Sequence, residues 1–127
     1  MDTVGKYLAV AVGGALGAIA RYAINNSFLV GWFQPFPFPT FFINVTGSLL
    51  IGFVFALFTQ KMVVGEYWQI FLTVGFLGAY TTFSTFEFET LMLIREKKLS
   101  FAMLYVLLSV IVGFAAVLAG VWLANKI

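Results

Sequence analysis

The sequence predicts an all-α membrane protein of four transmembrane helices, the third of them broken. Three observations lead there. Of 127 residues, 62% are hydrophobic and 9% charged, where a soluble domain carries about 25% charged residues. The few charges fall in small groups that divide the chain into uncharged runs, and about 20 apolar residues are enough to cross a bilayer as a helix. One of those runs, GFLGAYTTFSTFEFE (Gly75–Glu89), holds glycines, four hydroxyl residues and two carboxylates, which a helix crossing lipid would not choose for stability.

The first span is expected at about 5–30. Tyr7 to Ala20 is uncharged and Arg21 follows. Lys6 before an apolar run ending in Ala18-Ile19-Ala20 resembles a signal peptide. Asp2 offsets Lys6, however, and the small-residue rows Gly13-x-x-x-Gly17 and Gly14-x-x-x-Ala18 suit helix packing, so the segment reads as a retained span. GWFQPFPFP (Gly31–Pro39) cannot continue a helix, because alternating prolines remove donors and restrict the residues before them. Its aromatic residues suit the membrane–water interface. The second span, about 39–60, carries NVTGS (Asn44–Ser48). After MVVGEYW (Met62–Trp68) comes the third, about 68–94, where Gly75 and Gly78 lower helix propensity and predict a break near 75–81. REKK (Arg95–Lys98) leads into the fourth, about 99–125, with its own small rows, Ser109-x-x-x-Gly113 and Ala116-x-x-x-Gly120. All four form a single domain over 1–127.

Four spans put both termini on one side, with Lys6, Lys61 and Lys126. Arg95, Lys97 and Lys98 lie on the other, with Arg21 if it counts as near a helix end. Orientation follows the Lys/Arg bias of short loops, and here there is almost none. Two readings stay open: the chain inserts both ways up, or features other than charge fix one topology. Four helices enclose little room for a polar path, so a route between two antiparallel copies is the more natural architecture.

With no histidine and no cysteine, no nucleophile–base pair, thiolate metal site or disulfide is available, so the chain is not expected to be an enzyme. A net charge of +2, scattered, gives no nucleic-acid surface. Polar residues at membrane depth are the functional candidates. A broken third helix would free carbonyls, which hold cations, and N–H groups, which attract anions. Past the break, Phe83 and Phe86 share a helix face. Asn44 can donate two hydrogen bonds, or it can simply join helices. Tyr105 and Ser109, one turn apart, could line a polar track or bond to a neighbouring helix. Arg21 could snorkel to the interface or attract anions at a vestibule. Glu87 and Glu89 have no assigned role.

GGALGAIARY (Gly13–Tyr22), NVTGS (Asn44–Ser48) and GFLGAYTTFSTF (Gly75–Phe86), with the length and the four spans, resemble the Fluc (CrcB) family of fluoride channels over the whole chain. The resemblance implies an antiparallel, dual-topology homodimer in the plasma membrane, the inner membrane of a bacterium, giving passive fluoride export and fluoride resistance. It implies two fluoride pathways and one central, structural sodium ion (Na+) held by the backbone carbonyls of Gly78 and Thr81 from each copy. It maps the pore asparagine onto Asn44, the aromatic pair onto Phe83 and Phe86, and the vestibule arginine onto Arg21. Tyr105 and Ser109 match its hydroxyl track, with Thr82, Ser84 and Thr85 as further polar contacts. Two positions depart from the pattern: Ala79 followed by the bulky Tyr80, and Gly113 where some members offer another hydroxyl. The chemistry suits fluoride, whose tight hydration must be replaced by N–H and O–H donors and by the positive edges of phenyl rings. A narrow path lined by rigid rings excludes larger halides. Two other classes remain to compare. A small proton-coupled multidrug exporter needs a carboxylate in the first or second span, which is absent. A non-transporting assembly subunit gives no reason for TTFSTF.

Overall fold

The computed structural model describes residues 2–127, and they form helices and connecting turns with no strand among them. Helix α1 (Thr3–Asn25) begins where the Asp2 carboxylate accepts the Gly5 N–H at 2.6 Å, satisfying one of the orphan donors of a first turn. It ends at Asn25, short of the expected 30. Ser27 there accepts the Leu29 N–H and starts a separate 3₁₀ turn, Phe28–Gly31, so the Asn-Asn-Ser run turns the chain before the prolines do. Helix α2 (Phe38–Gln60) has proline in its first turn, where a missing N–H costs nothing.

A helical run over 66–80, α3, is built from an ordinary turn (Glu66–Gln69), a widened π-helical stretch (Ile70–Leu77) and a last turn (Gly78–Tyr80). Thr81 is extended, with φ −80° and ψ 155°. Helix α4 (Ser84–Arg95) follows, then α5 (Leu99–Lys126). Between these two, Lys97 takes a left-handed φ of 60°. That turn lets the Lys98 N–H reach back to the Leu93 carbonyl at 2.8 Å and close α4. Three helices, α1, α2 and α5, are long and apolar enough to cross a membrane.

The glycines expected to break the third span do not do so. Gly75 lies inside the π-helical stretch and Gly78 inside the turn after it; regular structure stops only after Tyr80. Gly75 serves packing instead. A Cβ there would sit 3.0 Å from the Cα of Gly13, so its bareness lets α3 touch α1.

Two backbone-to-backbone seams organise the molecule. Along the first, a Cβ on Gly13 would collide with the Phe71 carbonyl oxygen and one on Gly17 with that of Phe76. Along the second, Gly52 of α2 lies against the Val117 carbonyl, and Gly120 of α5 against that of Leu49. Lipid offers no hydrophobic drive for helices to associate, so close backbone approach supplies dispersion instead. The other small rows pack more loosely: Gly14 faces the Gly75 carbonyl and Gly113 the Ser48 hydroxyl, each at 3.8 Å from an added Cβ. Large apolar side chains such as Leu107, Ile111, Phe114 and Leu118 point outward, as they do when the surrounding solvent is hydrocarbon.

Candidate functional site

The non-helical residues Thr81–Phe83 are fastened from both sides. On α2, the Asn44 amide makes a double hydrogen bond to the main chain of Thr82: Nδ2 donates to its carbonyl at 2.9 Å and Oδ1 accepts its N–H at 2.8 Å. One side chain thereby satisfies both backbone groups of a residue that has left its helix. Two residues on, the Thr46 hydroxyl lies 2.8 Å from that of Tyr80. Gly47 follows, and a Cβ there would overlap the Thr81 methyl and stand 3.3 Å from the Tyr80 ring. From α1, Arg21 Nε donates to the Ala79 carbonyl at 3.0 Å, a cation at the C-terminal end of α3, where the helix dipole favours it.

Two backbone donors are redirected at the interruption, one by Asn44 and one by the Thr82 side chain. In a continuous helix the Thr82 N–H would meet the Gly78 carbonyl and the Thr85 N–H that of Thr81. Here Thr82 N–H bonds Asn44, and Thr85 N–H bonds the Thr82 hydroxyl at 3.3 Å. The Gly78 and Thr81 carbonyls therefore lose their ordinary helical partners within a few residues of one another.

A cavity of about 430 Å³ opens beside the interruption. From α2 it is lined by Asn44, Gly47, Ser48 and Ile51, the i, i+3, i+4, i+7 row of one helix face. Thr73, Leu77 and Gly78 line it from α3, then Thr81, Thr82, Phe83 and Phe86, and finally Ser109 and Val110 from α5. Phe83 and Phe86 stand 5.9 Å apart between ring centroids, planes at 53°. They are not equivalent: Phe83 is 73% exposed, whereas Phe86 is buried with its ring against Tyr105, centroids 4.9 Å apart and near-perpendicular. The Ser109 hydroxyl is buried and has no hydrogen-bond partner among the described residues.

The structure thus gathers Asn44, Gly78, Thr81, Thr82, Phe83, Phe86 and Ser109 around one space. Tyr105 does not line it. It is fully buried behind Phe86, and its hydroxyl donates to Glu89 Oε1 at 3.1 Å, which gives Glu89 a partner that spacing alone did not. Ser84 and Thr85 stand outside the lining in the first turn of α4, and Arg21 reaches the interruption from behind, through Ala79. Sequence reasoning missed Thr46 and Tyr80, and also Thr40, fully buried beside Glu89 and Tyr105. The signal for Thr46 was present, since it lies inside NVTGS. Nothing local pointed to Thr40.

Among the described residues no group of three or more acidic side chains is placed to hold a metal ion. The residues lining the cavity include an amide, the hydroxyls of Ser48, Thr81, Thr82 and Ser109, and the rings of Phe83 and Phe86.

A family model described as "CrcB-like protein, Camphor Resistance (CrcB)" matches residues 8–121. A protein of Methylococcus capsulatus named a fluoride-specific ion channel FluC is 48% identical over 94% of this chain, which spans 52% of that relative's length. Proteins of the same name from Nitrobacter winogradskyi and Acidobacterium capsulatum are 46% and 43% identical, over 94% and 96% of this chain and 95% and 98% of their own.

Proposed function

The chain belongs to the CrcB-like family, and on that premise we propose that it is a fluoride-selective channel giving passive fluoride export, in a multi-pass bacterial membrane protein. It is a channel and not an enzyme. The observation that carries the reading is the cavity at 81–83, where an amide, a free buried hydroxyl and two phenyl rings converge on one space. Fluoride must exchange its hydration shell for protein donors. Asn44 keeps one Nδ2 hydrogen beyond the one given to Thr82. Ser109 holds an uncommitted O–H, and Thr82 and Ser48 add hydroxyls nearby. Phe83 and Phe86 offer positive ring edges while narrowing the way for larger halides. Arg21, with Nε on Ala79, leaves its other N–H groups to raise the local potential for an anion.

In this reading α3 and α4 together form the third span, interrupted at its middle, which makes four spans in one domain. Two copies pair antiparallel and provide two pathways. The residues fit a structural sodium ion between them. The Gly78 and Thr81 carbonyls have lost their helical donors, and carbonyl oxygens are the ligands a hard cation prefers. Four such oxygens from two copies would surround it, and its charge would offset the freed carbonyls. On this chain, Asn44 and Thr82 do the preparatory work by turning the donors away.

Efflux from proteoliposomes, followed with a fluoride-selective electrode, tests the function. Fluoride efflux without comparable chloride efflux is expected, with Phe83→Ile lowering the rate while the protein stays folded. No fluoride efflux, or equal chloride efflux, overturns it.

A further inference from the structure

The bond between Tyr80 and Thr46 has a direction that the geometry decides. Thr46 has one hydroxyl hydrogen, and its Oγ1 lies 2.7 Å from the Phe42 carbonyl, which can only accept. Thr46 therefore donates to Phe42, and the Tyr80 phenol donates to Thr46 at 2.8 Å. A relay of two hydrogen bonds runs from the last residue of α3 into the main chain of α2. Such chains strengthen each member in a medium of low dielectric. The Tyr80 ring is buried, 6% exposed, and stacks on Phe76 with planes 14° apart and centroids 5.8 Å apart. The bare Gly47 makes room for it and for Thr81.

Tyr80 and Thr82 flank Thr81, and their partners Thr46 and Asn44 sit two residues apart on α2. Within its own segment Thr81 is tied back to Leu77, whose carbonyl accepts both the Thr81 N–H at 3.1 Å and the Thr81 hydroxyl at 3.0 Å, and the Tyr80 relay adds the tie from this near side across to α2. Held on both sides, its carbonyl and the adjoining cavity wall have one orientation. We propose that Tyr80 is a positioning residue for ion passage: through Thr46 it fixes the near side of Thr81, as Asn44 fixes the far side. The proposal rests on the fluoride-channel reading above for its effect on flux, and on geometry alone for its effect on the main chain.

The three variants Tyr80→Phe, Thr46→Val and the double form separate this role from simple packing. Tyr80→Phe keeps the ring and leaves Thr46 bonded to Phe42, so fluoride efflux from proteoliposomes should fall about threefold, the scale of one hydrogen bond. Thr46→Val leaves a buried phenol hydrogen without an acceptor, so efflux should fall about tenfold or more. Adding Tyr80→Phe to Thr46→Val removes the stranded donor and should return efflux to the level of Tyr80→Phe alone. In each variant the Thr82 amide proton resonance should move, while the rest of the spectrum reports a folded protein. Wild-type efflux in Tyr80→Phe and Thr46→Val, or a double variant as poor as Thr46→Val, overturns the proposal. If the wild-type protein passes no fluoride, the channel reading fails, and the Thr82 resonance judges the positioning role by itself: unmoved in Tyr80→Phe, it overturns that role too.

Discussion

The α2–α5 seam and the interruption at 81–83 answer the same demand by opposite means. Both must satisfy backbone groups where helices meet. The seam works by omission: Gly52 and Gly120 carry no side chain, so carbonyls of Val117 and Leu49 approach within van der Waals contact. The interruption works by addition, as Asn44, Thr46 and Arg21 each send a polar group to a backbone or side chain that irregular structure has exposed. One region is insensitive to chemistry and intolerant of volume. The other tolerates volume in places and depends on individual hydrogen atoms.

Substitution should separate the two. Gly120→Val should have the largest effect, because its Cβ would meet Leu49 backbone that cannot move aside. A loss of about 3 kcal/mol or more is expected, read as the disappearance of monodisperse protein on size exclusion in detergent. A well-behaved variant would show that the seam can open. Asn44→Ala should come next and act differently. It strands the Thr82 N–H and carbonyl, which costs about 1–3 kcal/mol for each buried group. Fluoride efflux should fall by more than tenfold while purified protein is still recovered, and unaltered efflux would contradict the role given to the clamp. Gly113→Ala should change stability by less than about 0.5 kcal/mol, since the added methyl would stand 3.8 Å from the Ser48 hydroxyl. A loss comparable to Gly120→Val would mean the seam extends further along α5. Lys6→Ala should be silent in thermal unfolding. It breaks the ion pair with Glu66 at 2.7 Å, but both side chains are solvated and such pairs contribute little.

The contrast also explains what the sequence could say. The ends of α2, α4 and α5 follow from where charges and prolines stand, and those are local signals, whereas α1 stops earlier, at Asn25. The seams follow from four-residue spacing of small residues. Gly13 and Gly17 were legible in that way, and Ser48, Gly52 and Ala56 carry the same spacing unread. The interruption was legible in its composition and partly in its position, since the observed 81–83 meets the expected 75–81 at Thr81. Glycine propensity put it at 75–81, but what ends the helix after Tyr80 is an asparagine 38 residues earlier taking the Thr82 N–H. No local propensity encodes that. A spacing of three suggested that Phe83 and Phe86 share a helix face; Phe83 lies just before α4, yet both rings line one cavity, and their unequal burial depends on Tyr105 arriving from α5.

Helix α2 carries both devices on different faces. Gly47 faces Tyr80 and Thr81, and Gly52 faces Val117. Five residues at about 100° each set the two faces roughly 140° apart. This makes the stretch between them closed to changes in length. Inserting or deleting one residue there would rotate one face by about 100° against the other, so that either Asn44 leaves Thr82 or Gly52 leaves α5, and no loop between them can absorb the error. The link at 61–65, which joins α2 to α3 outside both contacts, has no such restriction. Length variation in this chain is therefore expected to collect in its connections and to be absent between residues 47 and 52.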